Sequence, residues 1–451
     1  MARRFLWAAL LLVVLAGPSP AREVATGPLA DYVAAQDDSY AWTKRTEGQV
    51  LSCKYVELTL TSQTWRGIVW KHQLFLLNPA SAKPGAKHGL LLIAGGNWRD
   101  ELADPKAQLK LPGEANLLAA AAELFQTPMA ILLHVPQQPI FDGKREDAII
   151  AYTFEEFLKT QDSTWPLLAP MVKSAVKAMD ATQEATTKEW GHKLETFTVT
   201  GASKRGWTTW LTGAVDRRAT AIAPMVIDML NMVPQVALQK ESFGDLSEQV
   251  KDYKQRRLDE QMHTARGKAL RTIVDPYEYR DQLTQPKLII LGTNDRYWPL
   301  DAERNYFGDL RESKYLLRIP NNGHGLQDYG RIVASLNALH QSVITGQPLP
   351  KLIWKFDDSA DGLSLKVGSD QPISRVRSWT ATAKTRDFRD SVWTSADAKA
   401  DGPGFSCKLA RPTEGFAAVF AEMVFEQGKP HEFSFTTSVQ IVGSQPAAEG
   451  K

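Results

Sequence analysis

Short, nearly continuous apolar runs recur along the first two thirds of the chain: Leu90 to Ile93, Ala130 to Leu133, Phe197 to Thr200, Ala221 to Ile227 and Leu288 to Leu291. Each is bounded by turn residues and lacks the polar alternation of a half-solvated strand, so each fits a strand buried on both faces. Helical stretches separate them, at Asn116 to Leu124, Pro166 to Thr182 and Trp207 to Thr212. Buried strands alternating with helices predict a mainly parallel sheet wrapped by helices, an α/β fold. Ahead of them, Leu51 to Leu60 and Gly67 to Leu77 alternate apolar with polar residues and read as a hairpin.

Two segments break this rhythm. Residues 228–284 include the polar stretch Gln249 to Arg271, which reads as a helical insertion lying over the sheet as a cap. After the helix Tyr329 to Ile344, Gly346 and Pro348 stop the pattern. Five short alternating strands follow: Leu352 to Phe356, Leu363 to Val367, Val376 to Ala381, Phe416 to Phe425 and Phe433 to Val439. They suggest a small β-sandwich of immunoglobulin or fibronectin type over residues 351–451, with the α/β part occupying 22–350.

The N-terminus adds a location. Arg3 and Arg4 precede the apolar run Phe5 to Ala16, and Ser19 and Ala21 supply small residues beyond it. These are the three parts of a secretory signal, with cleavage expected after Ala21 and a periplasmic or secreted product. The run is too short to span a bilayer, and no transmembrane span is expected elsewhere. Losing residues 1–21 removes two of the 53 cations and leaves 51 against 51 anions, a balance that offers nucleic acid no electrostatic footprint. The two cysteines, Cys53 and Cys407, fall in different predicted regions and read as buried free thiols.

The chemistry is expected where apolar strands end. Val199 and Thr200 run into Gly201-Ala202-Ser203-Lys204-Arg205-Gly206, a strand meeting a serine flanked by small residues, with a helix after it. That is the setting of a Gly-x-Ser-x-Gly nucleophile elbow, except that Arg205 stands where the second glycine is usual. The strand Leu288 to Leu291 delivers Asp295, and the strand Tyr315 to Pro320 is followed by His324 between two glycines. Ser, Asp and His in this order, each after a parallel-sheet strand, form the series of an α/β-hydrolase triad. Loops at the carboxyl ends of parallel strands open on one edge, where residues distant in sequence converge. A serine hydroxyl needs a base to take its proton, His324 can do so and return it, and Asp295 would fix the imidazole tautomer. Asp228, after the strand Ala221 to Ile227, is the alternative acid. The backbone N–H of Lys204 and those of Gly95 and Gly96 are candidates for the oxyanion hole. Glu155 and Glu156 could receive a substrate amine, and Trp98 could line a pocket. The histidines show no metal-ligand spacing, so no metal and no cofactor are expected.

Several runs together carry a resemblance: Glu146 to Thr153, Trp165 to Ala175, Gly201 to Thr208 and Gly292 to Asp295. In this order they resemble the PhoPQ-activated pathogenicity-related proteins over roughly residues 30 to 440. The chain is also similar to the autocrine proliferation repressor proteins of social amoebae, a signalling branch of that family. The resemblance implies an exported α/β-hydrolase-fold protein with a C-terminal β domain, linked in some bacteria to an envelope-stress regulon. The expectation is therefore an exported serine hydrolase acting on a small ester or short peptide in a pocket covered by the insertion. The alternative is a non-catalytic secreted binding or signalling protein on the same scaffold.

Overall fold

The computed structural model describes residues 23–104, 106–107, 111, 113–426 and 432–444; the expected signal segment lies outside them. The first nine strands are β1 (Ala41–Val50), β2 (Cys53–Trp65), β3 (Ile68–Asn78), β4 (His88–Ile93), β5 (Met129–Leu132), β6 (Thr196–Ala202), β7 (Ala219–Met225), β8 (Lys287–Gly292) and β9 (Lys314–Ile319). They lie in the order β1-β2-β3-β5-β4-β6-β7-β8-β9. The strands β1, β2 and β3 form an antiparallel meander, β3 pairs antiparallel with β5, and β4 to β9 are joined in parallel. One early crossover, with the remaining strands added in sequence, is the α/β-hydrolase arrangement. The strand β1 was not legible in the pattern: it is an edge strand, mostly exposed, and carries no apolar alternation.

The helices are α1 (Pro28–Ala34), α2 (Ala115–Phe125), α3 (Asp147–Thr160), α4 (Leu168–Trp190), α5 (Lys204–Val215), α6 (Met232–Phe243), α7 (Lys251–Gln255), α8 (Leu258–Gln261), α9 (Ala265–Val274) and α10 (Tyr329–Thr345). The apolar runs now have their reason. Ile289 and Leu291 of β8 join the core beneath α4 and α5, while Leu288 and Ile290 join the opposite core with α2 and α10. Successive strand residues point to opposite faces, so a strand packed on both sides must be apolar throughout. The insertion is helical, but the polar stretch is broken into three short helices. Arg257 turns the chain with φ 53°, and Thr264 caps α9 by accepting from Gly267 N–H. Among the described residues no helix is long and apolar enough to cross a membrane.

Beyond α10 the described residues form nine strands where the sequence suggests five: β10 (Leu352–Ser359), β11 (Gly362–Ser369), β12 (Arg375–Ala383), β13 (Thr394–Asp397), β14 (Lys399–Asp401), β15 (Gly404–Ala410), β16 (Phe416–Glu426), β17 (Glu432–Thr436) and β18 (Gln440–Gly443). One sheet, β10-β11-β15-β14, stands alone; the other, β17-β16-β12-β13, is not separate. Through β17 it continues the central sheet from β9, where Thr436 pairs with Leu316 and the rings of Tyr315 and Phe435 stack at 4.5 Å. Leu365 and Val367 from the lone sheet meet Val376, Ala421 and Met423 from the continuing one, which makes the sandwich. Both cysteines are buried and free.

A shared sheet couples the two parts. Phe435 is fully buried at the junction, so Phe435→Ala should lower stability by about 3–5 kcal/mol. Calorimetry should show a single unfolding transition, moved down in the variant, and not two transitions of which only one moves.

Candidate active site

At the end of β6 the chain passes into α5 with Ser203 alone between them, at φ 58° and ψ −127°. A non-glycine residue there stores of order 1–3 kcal/mol of strain and persists only where its surroundings enforce it. Ser203 N–H donates to Met225 O at 2.8 Å, and Ser203 O accepts from Trp207 N–H at 3.0 Å. The turn brings backbone against backbone, and two glycines permit it. A Cβ on Gly201 would lie 2.8 Å from Arg205 O, and one on Gly206 would lie 2.7 Å from Met225 O. The usual second glycine is thus replaced in function by Gly206, one residue later.

Arg205 occupies the vacated position and leaves through the loop after β4. Its Nε donates to Val135 O at 2.5 Å, and its two terminal nitrogens grip Glu146 at 2.7 and 2.9 Å. A Cβ on Gly95 would lie 2.6 Å from that guanidinium and would push the arginine off its present position. Gly96, at φ 129°, is pressed against the His134 ring in the same way. Gln138 ties the pieces together: its amide donates to Gly96 O at 3.0 Å and to Glu146 Oε1 at 2.7 Å. Beside it, Lys204 Nζ lies 2.8 Å from Asp147 Oδ2, and Tyr253 OH donates to Asp147 Oδ1 at 2.9 Å.

His324 reaches the elbow from the loop after β9. Its Nε2 lies 2.8 Å from Ser203 Oγ, and its Nδ1 lies 2.8 Å from Asp295 Oδ2 and 3.1 Å from Oδ1. An ionised carboxylate can only accept, so Nδ1 donates to it and Nε2 is left to accept the serine proton. Asp295 Oδ1 also accepts from Tyr297 N–H at 2.8 Å, and the Tyr297 ring covers the imidazole at 4.2 Å between centroids. Burial, with the carboxylates of Asp147 and Asp295, pushes the Tyr297 phenol up to about 12, so it stays neutral.

Several expected residues lie elsewhere. Asp228 is buried and accepts from Tyr306 OH at 2.7 Å; it is Asp295 that holds His324. Burial raises the Asp228 carboxyl well above its usual range, and neighbouring Glu303 raises it further. Glu155 and Glu156 do not receive anything in the pocket: on α3 both pair with Lys159, and Glu155 also pairs with Arg256 of the insertion. Trp98 packs edge-on against His134 and donates to Asp100, away from the cavity walls. The sequence reading gave no role to Glu146, Asp147 or Gln138. Glu146 and Asp147 open one of the runs that carry the family resemblance, and with Lys204-Arg205 they make two opposed dipeptides that nothing local links.

Two cavities meet at His324. One, of about 130 Å³, lies under the insertion and is walled by Ser203, Trp207, Met229, Met232 and Met262. The other, of about 370 Å³, runs between the sheet and α2 and α10, and is almost wholly apolar. Among the described residues no three His, Cys, Asp or Glu side chains converge to hold a metal ion.

The strand order and the strained serine at the elbow define an α/β-hydrolase scaffold. Within that class the chain belongs to the family of PhoPQ-activated pathogenicity-related proteins, whose family model matches residues 29–389. It is 31% identical to the autocrine proliferation repressor protein A of Dictyostelium discoideum, over 96% of this chain and 93% of that protein. Among solved structures it is similar to the acetyl xylan esterase from Paenibacillus sp. R4 at 12% identity and TM-score 0.48, covering 69% of this chain and 92% of that one. It is also similar to the glucuronoyl esterase from Solibacter usitatus at 14% identity and TM-score 0.40, covering 70% and 91%.

Glu146 supplies a test of the network. Burial alone would raise its carboxyl, but Arg205, with Gln138 and Lys204, holds it down at about 2 against an ordinary 4.5. The stabilisation is therefore complete above about pH 4.5 and is lost as pH falls towards 2. Glu146→Gln should lower stability at pH 7 by about 1–2 kcal/mol, discounted because the carboxylate is one-third exposed. Denaturant titrations at several pH values should show the gap between the two proteins closing below pH 4.5.

Proposed function

We propose that this protein is an exported serine hydrolase that cleaves a small ester or short peptide, with residues 1–21 as its signal peptide. The observation that carries the reading is the unbroken hydrogen-bonded series from Ser203 Oγ through His324 to Asp295. Ser203 Oγ attacks the substrate carbonyl as His324 Nε2 takes its proton; Asp295 holds the imidazolium in place. The carbonyl oxygen, now negative, is received by the N–H of Lys204 at the start of α5 and by the Gly95–Gly96 turn. Each such donor contributes about 3 kcal/mol to the transition state. His324 then protonates the leaving group, an acyl group stays on Ser203, and water activated by the same imidazole releases it.

An ester is favoured over a peptide. Glu155 and Glu156, the groups that would have received a substrate amine, are held in ion pairs, and both cavities beside His324 have mainly apolar walls. Catalysis is set against a signalling protein that leaves Ser203 unused, a reading that the name of the amoebal relative favours. Labelling of the purified protein by a fluorophosphonate separates the two. Labelling should be strong in the wild type and absent in Ser203→Ala; persistent labelling of the variant would overturn the nucleophile. On short-chain acyl esters, Ser203→Ala should lower kcat by about a millionfold. Asp295→Asn should lower it by about 10⁴-fold, and inactivity of the wild type on both esters and dipeptidyl amides would favour the signalling reading.

A further inference from the structure

We infer that the loop between β12 and β13, residues 384–393 of the C-terminal β region, is a working part of the active site that sets the positions of Asp295 and His324. The inference rests on the hydrolase reading for its chemistry but on separate contacts for its geometry.

Each of the two loops that carry the histidine and its acid offers one asparagine to this segment. Asn294, directly before Asp295, donates its amide to Ser391 O at 2.7 Å and to Arg389 O at 3.2 Å. Asn321, three residues before His324, donates to Trp393 O at 2.9 Å and accepts from Trp393 N–H at 2.7 Å. A side-chain amide that both gives and takes on one residue's backbone fixes orientation as well as distance. The two loops are also joined to each other. Asn294 N–H donates to Asn322 O at 2.9 Å, and Asn321 N–H to Thr293 Oγ1 at 2.9 Å. A displacement of either asparagine is therefore carried to the imidazole and its carboxylate together.

The segment has a firm footing. Phe388 and Trp393 are buried with Leu300 on the face of the continuing sheet turned away from the lone one, with the Trp393 ring 5.2 Å from Phe420 of β16. It also reaches the insertion that covers Ser203. Arg389 pairs with Glu248 at 2.7 Å and lies 4.0 Å over the Phe243 ring, and Glu248 pairs in turn with Arg296 at 3.0 Å. These ion pairs are half exposed and hold little by themselves. The bonds between the asparagine amides and the partly buried backbone of this loop do the positioning.

The test uses the full chain and two substitutions that touch neither Ser203 nor the cavity walls. Asn294→Ser removes the donors to Ser391 and Arg389. Asn321→Gly keeps the left-handed backbone, at φ 56°, and removes both bonds to Trp393. Each should lower kcat on a short-chain ester, and the rate of fluorophosphonate labelling, by about 100-fold, with KM within threefold. A purely structural role would lower Tm and leave kcat of the folded protein unchanged, and that result overturns the proposal. The downfield proton resonance of the His324–Asp295 hydrogen bond, assigned by its loss in Asp295→Asn, gives a readout without turnover. It should broaden or vanish in both variants, and its survival unaltered overturns the proposal even if one variant is too unstable for kinetics. If the wild type is not labelled at all, the hydrolase reading fails, and this resonance alone decides the positioning role.

Discussion

The backbone at Ser203 is the constraint from which the rest of the site follows. A residue with a side chain held at φ 58° between a strand and a helix needs both elements locked. The lock is made of backbone: the parallel pairing of β6 with β7, the bond from Ser203 N–H to Met225 O, and the approach of α5 allowed by Gly206. Those contacts leave no room for a side chain at 201 or 206. They do leave room at 205, provided that the loop after β4 gives way, and Gly95 does. The exchange of a glycine for Arg205 at the elbow is thus a paired feature of two segments more than a hundred residues apart.

Charge then replaces what flexibility the second glycine would have given. Lys204 and Arg205, the first two residues of α5, face Glu146 and Asp147 at the start of α3. Gln138 extends that contact to the Gly96 carbonyl, so the loop after β4, the elbow and α3 form one hydrogen-bonded unit. Tyr253 adds the insertion to it through Asp147. The wall of the cavity and the serine within it are held by the same few side chains.

How far the sequence spoke depended on whether the deciding contact was local. Buried strands announce themselves as apolar runs, and a serine, aspartate or histidine just beyond such a run can be placed at the sheet's carboxyl edge without a structure. The sequence puts Asp295 first and keeps Asp228 as the alternative, because what separates them is how the loops after β7 and β8 turn. Glu155 meets Arg256 from about a hundred residues away in sequence, a contact no local pattern shows, whereas Lys159, which pairs with both Glu155 and Glu156, lies on the same helix. The edge strand β1 had no pattern to read, since residues on both of its faces are largely exposed. The merging of the C-terminal sheet with the central one left no trace either, because strand pairing between β9 and β17 spans more than a hundred residues.

That merged sheet bears on how the protein comes into being. The partner of β9 is β17, which begins at Glu432, more than a hundred residues further along the chain. Until it is made, the edge of β9 beside Leu316 has no strand against it, and an open strand edge can pair with another chain. The α/β part therefore cannot close its sheet as it emerges from the ribosome. A chain cut anywhere after α10 and before β17 would carry a sticky edge, and the β region protects its own neighbour from self-association by supplying the strand that covers it.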